Sequence, residues 1–163
     1  MSLSKTNYII WRDCRKNAWL KIHKPDIYFA HELSDFEKQI IETGNEVDLL
    51  ARELFPTGEY QKQFEHDEFL AITDILAGDN LYEVKATNDI DKKTHYHDLA
   101  FQYNVLKLSG LEVGSANLIH LNPEYARKGE LELDKLFMIE NVTEKIEEMA
   151  EEVLEEMRIA KEY

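Results

Sequence analysis

Apolar and polar positions change their period several times along the chain, and each change marks an element. From Ser34 the period is helical, with Phe36, Ile40, Val47, Leu50 and Leu54 on one repeat. Ser34-Asp35-Phe36-Glu37 fits a capping box, and Pro56-Thr57-Gly58 ends the run. The period then shortens. Residues 60–65, 69–76 and 81–87 read as strands, joined by His66-Asp67-Glu68 and Ala77-Gly78-Asp79-Asn80, turns short enough for an antiparallel meander. After a polar stretch at 88–93, Thr94 is placed to cap a helix over 95–109, with Leu99, Tyr103 and Leu106 on one stripe and Gly110 as its stop. Residues 113–121 read as a buried strand that Asn122-Pro123 breaks, and 131–139 as one more strand. Asn141 or Thr143 then caps a last helix reaching about Tyr163, its stripe formed by Val142, Ile146, Met149, Val153, Met157 and Ala160. Before Ser34, apolar Tyr8, Ile9, Ile10, Trp11, Ala18, Trp19, Leu20 and Ile22 alternate with basic residues. Ser4 or Thr6 is placed to cap a short helix there, Pro25 to end the segment, and 26–33 to act as a connector.

These elements predict an α/β (α+β) chain with a central mixed sheet of four or five strands. The order from Ser34 is αβββαβ, with helices on the flanks and an extra C-terminal helix. At 163 residues the chain is expected to be a single domain over 1–163: a basic and aromatic extension at 1–33, a core at 34–122, and a final strand and acidic helix at 123–163. A hydrophobic share of 44% excludes a disordered chain, and no apolar run reaches the length of a membrane span. The first residues lack the apolar segment of a secretory signal, and a lone Cys14 excludes an intrachain disulfide, so the cytoplasm is the expected location.

The candidate chemistry sits at 74–85. Asp74 closes one apolar run, Gly78-Asp79-Asn80 makes the turn, and Glu83-Val84-Lys85 lies in the next run. In a hairpin Asp74 and Glu83 come side by side, and Lys85, two residues after Glu83, shares its face. Two carboxylates and an ammonium so placed suit a hard divalent cation and a water, the needs of phosphodiester hydrolysis. The bland reading of Glu-x-Lys alone is a cross-strand ion pair. His95 and Asp98, on the helical face of Gln102, read as exposed. The net charge of −14 excludes a simple basic DNA-coating protein. Residues 1–25 nevertheless carry six Lys/Arg against Asp13, while 140–163 carry nine Glu against Lys145, Arg158 and Lys161.

The order of elements, with acid…acid-x-Lys on the second and third strands, resembles the PD-(D/E)XK nuclease superfamily, the restriction-endonuclease-like fold. Within it the chain looks most like the RecB-type exonuclease branch, which includes CRISPR-associated and phage nucleases. The resemblance runs from about Leu3 to Ile139. Its parts are Leu3-Ser4-Lys5-Thr6 followed by Cys14-Arg15-Lys16, Gly44-Asn45-Glu46, Asp74, Glu83-Val84-Lys85, and Phe101-Gln102-Tyr103 with Gly110. It implies a Mg²⁺- or Mn²⁺-dependent DNA nuclease acting on single strands or ends. Asp74, Glu83 and the Val84 carbonyl would be metal ligands, and Glu46 an additional acid acting directly or through water. Lys85 would orient the attacking water, and Gln102 would stand near the site. Lys5, Arg12, Arg15 and Lys16 are candidates to meet DNA phosphates. Leu106 stands where many relatives carry Tyr, Glu46 where many carry His, and a single cysteine rules out their intrachain iron–sulfur cluster. The alternatives are a non-catalytic nucleic-acid- or protein-binding module of the same fold, and a homodimer or partner complex formed through the C-terminal helix.

Overall fold

In the computed structural model, which describes residues 2–28 and 32–163, a six-stranded mixed sheet carries helices on both faces. In chain order the elements are β1 (Leu3–Ser4), α1 (Lys5–Asp13), α2 (Arg15–His23), α3 (Pro25–Tyr28), α4 (Asp35–Arg52), β2 (Glu59–His66), β3 (Phe69–Ala77), β4 (Asn80–Lys85), α5 (His95–Leu108), β5 (Ser115–Leu121), α6 (Leu133–Leu136), β6 (Phe137–Asn141) and α7 (Thr143–Glu162). The predicted αβββαβ core is α4-β2-β3-β4-α5-β5. The predicted caps form in part. Ser34 and Glu37 make both bonds of the capping box on α4, and the Ser4 hydroxyl caps α1. The Asn141 side chain accepts from the Thr143 amide at the start of α7, while Thr94 makes no side-chain cap on α5.

Three expectations need correction. The sheet has six strands rather than four or five, because Leu3–Ser4 adds β1, too short to show an alternating pattern. Pro25 opens a helical turn instead of only closing a segment, since its fixed φ suits a first helical position. The connector expected over 26–33 is therefore helical to Tyr28, and 29–31 lie outside the described residues. Finally, 131–139 is not one strand: Leu133 and Leu136, three apart, lie in a single helical turn, and β6 starts only at Phe137.

Strand pairing positions the site. β2 runs antiparallel to β3 along nearly its whole length, from Glu59↔Leu76 to His66↔Phe69. The opposite edge of β3 is shared. β4 takes its end through Ile75↔Tyr82, Leu76↔Leu81 and Ala77↔Asn80, and β1 takes its start through Leu3↔Phe69 and Ser4↔Leu70. Between them, residues 71–74 have no strand partner on that edge among the described residues. β4 continues in parallel with β5, with Glu83↔Leu118 and Lys85↔His120, and α5 supplies the crossover that a parallel pair needs.

The sheet separates two apolar layers. On one face Leu76, Leu81 and Leu118 pack with Tyr8 and Trp11 of α1, Leu99 and Leu106 of α5, and Ile146, Val153 and Met157 of α7. On the other, Ile75, Ile119 and Phe137 pack with Val47 and Ala51 of α4. The stripe of α7 is thus spent on the chain's own core. α5 is not the one-striped helix the sequence suggests: residues 98–106 are all buried, because the sheet, α1 and α7 enclose it. Its buried polar groups need partners, and Asn104 donates to the Ala150 carbonyl at 2.8 Å. α4 buries only its second half, leaving Phe36 70% exposed. No helix among the described residues is long and apolar enough to cross a membrane. Ile146→Ala is expected to cost about 2–5 kcal/mol in urea unfolding, and Phe36→Ala less than about 1 kcal/mol.

Candidate active site

The alternation of β3 and β4 puts the predicted acids on one face. Leu76 and Leu81 lie in the α5-side layer, so Asp74 and Glu83, each two residues further from the turn, point to the same side. They occupy the first position at which the hairpin stops pairing. With the ladder broken, the Asp74 carboxylate itself accepts the Val84 N–H at 2.9 Å. Its other oxygen takes the Gln61 amide at 3.3 Å. Gln61 lies on β2 beside Asp74, between the pairs Tyr60↔Ile75 and Lys62↔Thr73, with φ 49°, a left-handed backbone inside a strand and unusual for a residue with a side chain.

Glu83 is 2% exposed and fully engaged. One oxygen accepts from Lys5 at 2.8 Å and Lys85 at 2.7 Å, and the other from the Gln102 amide at 2.6 Å. Asp98, one helical turn before Gln102 on α5, closes the cluster by pairing with Lys85 and, at 3.3 Å, with Lys5. Lys5 reaches it as the first residue of α1, directly after β1 has docked on β3.

Electrostatics separate the acids. Burial would raise the Glu83 carboxyl, but the Lys5 and Lys85 ammoniums hold it well below the usual range. Among the described residues Asp74 has no ammonium as a hydrogen-bond partner. Burial and the Glu83 charge push it up to about 7, with Lys5 and the Val84 N–H pulling the other way. Asp98 is raised by burial and by Glu83, against its two lysines. Burial disfavours the charge on Lys85, yet Glu83 and Asp98 carry its pKa above the ordinary lysine value.

Of the other sequence candidates, Glu46 is exposed on α4, and among the described residues no hydrogen bond or ion pair joins it to Asp74 or Glu83. The α4 acid whose charge reaches Asp74 is Asp48, which pairs with Arg52 and keeps one buried oxygen without a partner. Arg12 pairs with Glu156 at 2.8 Å and donates to the Lys93 carbonyl. Arg15 lies over the Trp11 ring, and Lys16 is exposed. Lys5 is part of the acid cluster itself. Asp98, read as exposed, is 6% exposed. The sequence reading passed over Gln61 and Asp48. Asp48 had a usable signal, since it lies nearer than Glu46 to the buried Val47–Ala51 stripe; Gln61 had none.

Among the described residues no three His, Cys, Asp or Glu side chains stand gathered as a ready metal cluster. The donor set still suits a hard cation that keeps several waters: two carboxylates from adjacent strands and the Val84 carbonyl. Asp74, raised by burial and by the Glu83 charge, is the group such an ion would relieve.

No family model and no curated protein matches the chain. Solved structures do. An alkaline exonuclease from Laribacter hongkongensis aligns with a TM-score of 0.54 at 15% identity, over 99% of this chain and 90% of that one. The chain shares its fold with this exonuclease. The same enzyme in complex with dAMP gives 0.50 at 16% identity, with the same coverage. A phage-related exonuclease from Haemophilus somnus 129PT gives 0.52 at 12% identity, over 96% of this chain and 79% of that one.

Asp74 leads to a test of stability. Its pKa is raised from 3.8 to about 7 in the folded chain, so the folded state binds this proton more tightly than the unfolded one. Stability from this group is full below about pH 4 and is lost as pH rises through about 7. Glu83 acts in the opposite sense but is common to both proteins compared. In chelator, Asp74→Asn should match the unchanged chain near pH 4 and exceed its stability by about 2–4 kcal/mol at pH 8, read by urea unfolding across pH.

Proposed function

We propose that the chain is a nuclease that uses Mg²⁺ or Mn²⁺ to hydrolyse DNA phosphodiester bonds on single strands or ends, as a RecB-type member of the PD-(D/E)XK group. The observation that carries this reading is the meeting of Asp74 and Glu83 where β3 and β4 part, with Lys85 at 2.7 Å from Glu83. The exonuclease fold supports it, and so does the amide of Gln102 on Glu83 at 2.6 Å.

In this reading Asp74, Glu83 and the Val84 carbonyl hold the ion. When bound, a divalent cation neutralises phosphate charge and lowers the pKa of water. The chain's own residues do the rest. Lys85, kept charged by Glu83 and Asp98, faces both the carboxylates and an arriving phosphate, and orients the attacking water. Gln102 fixes the Glu83 carboxylate from behind, leaving Oε1 as the oxygen to be shared. The acidic surface, at net −14, disfavours broad duplex binding and fits a narrow encounter with a strand or an end.

The test is cleavage of end-labelled single- and double-stranded DNA with Mn²⁺. Asp74→Ala and Lys85→Ala should each lower the rate by about a hundredfold or more, while circular dichroism shows a folded protein. Chelator should abolish cleavage. Activity that survives chelator, or that Lys85→Ala retains, contradicts the reading.

A further inference from the structure

We infer that Lys5 is the resident counter-ion of the centre, occupying Glu83 until a divalent cation displaces it towards Asp98, and that it thereby sets the affinity of the site for metal. The inference rests on the nuclease reading above, because it takes Asp74 and Glu83 as the acids that hold the ion.

Both oxygens of Glu83 are already in use. Gln102 takes Oε2, and two ammoniums share Oε1. A cation bridging Glu83 and Asp74 must therefore take Oε1 from one of the lysines. The two are not equivalent. Lys5 comes from a separate element, α1, and its ammonium already stands between Glu83 at 2.8 Å and Asp98 at 3.3 Å, with its charge also acting on Asp74. Its charge stands in for part of that ion's charge. Lys85 is held more closely by Asp98 and lies on the same strand as Glu83, which limits how far it can leave.

Asp98 gives Lys5 somewhere to go. It is 6% exposed; one oxygen pairs with Lys85, while the other, which makes no hydrogen bond, already lies 3.3 Å from the Lys5 ammonium. Lys5 can give up Glu83 without becoming an unpaired charge, which would be costly for a partly buried ammonium. The charges also match the substrate. With Asp74, Glu83 and Asp98 ionised and both lysines charged, the cluster is net −1; a divalent cation makes it +1, complementary to one phosphodiester. Without Lys5 that complement is lost. Lys5 is thus a positioning residue for metal and phosphate, a role distinct from that of a surface contact to DNA.

The test is calorimetric titration of the full chain with Mn²⁺ alone, without DNA. Removing a competing cation should tighten binding, whereas removing a merely structural residue should weaken it. Lys5→Met is expected to bind Mn²⁺ at least about tenfold more tightly than the unchanged chain, while Lys5→Arg, which keeps the charge, stays near it. Equal or weaker binding by Lys5→Met, with the unchanged chain binding normally, overturns the inference and leaves the nuclease reading standing. Absence of binding by both proteins overturns both. Because Lys5 opens α1, a second measurement avoids any folding defect. Reductive methylation of the unchanged chain, followed at Lys5 by mass spectrometry, should speed up when Mg²⁺ is added, because the 2.8 Å bond to Glu83 is lost. A rate at Lys5 that Mg²⁺ does not change overturns the inference as well.

Discussion

A buried carboxylate at the point where two strands part governs this structure. Glu83 is inside the molecule, and burial alone would neutralise it. It stays charged because three donors from three places converge on it: Lys5 at the start of α1, Lys85 on its own strand, and Gln102 in the middle of α5. Each has to be delivered by the fold. β1 docks on the part of β3 that β4 leaves free, which brings Lys5 in. The parallel β4–β5 pair requires the α5 crossover, which brings Asp98 and Gln102 over the same spot. Sheet topology and charge compensation are one problem with one solution.

That solution is uneven by design. Glu83 is saturated, whereas Asp74 is left with an N–H and an amide and, among the described residues, no ammonium. A fold selected only for stability would satisfy or remove Asp74. In the proposed reading a divalent cation would supply the compensation that Asp74 lacks, and perturbed groups of this kind gather at functional sites. The left-handed backbone of Gln61, beside Asp74, falls at the same place. The acidic chain and the proposed DNA substrate are compatible for a related reason. Two of the 19 Lys/Arg, Lys5 and Lys85, stand on the acids of the centre itself, where a phosphate would meet them.

Much of this was legible in the sequence where a local rule applied. The capping box at Ser34, the three strands of the meander and the two-residue spacing of Glu83 and Lys85 each follow from short-range chemistry, and each stands in the structure. What failed to show was set by long-range packing. β1 is two residues long and exists only because β3 has a free edge. Asp98 read as exposed because one stripe of α5 seemed enough; enclosure of that helix on nearly every side buried it. Glu46 read as the additional acid, yet it is exposed on α4, and the α4 acid whose charge reaches Asp74 is Asp48, which the phase of the helix turns nearer the sheet. Lys5 read as a candidate contact to DNA phosphates, since nothing local says that this segment returns to β4.

The central claim is that Asp74 and Glu83 hold one divalent cation between them. A crystal grown or soaked with Mn²⁺, with data collected at the manganese absorption edge, tests it most directly. The account expects an anomalous peak bound by both carboxylates and the Val84 carbonyl, with the Lys5 ammonium no longer on Glu83. Manganese bound elsewhere, or Asp74 and Glu83 unchanged around Lys5 at saturating Mn²⁺, would contradict it.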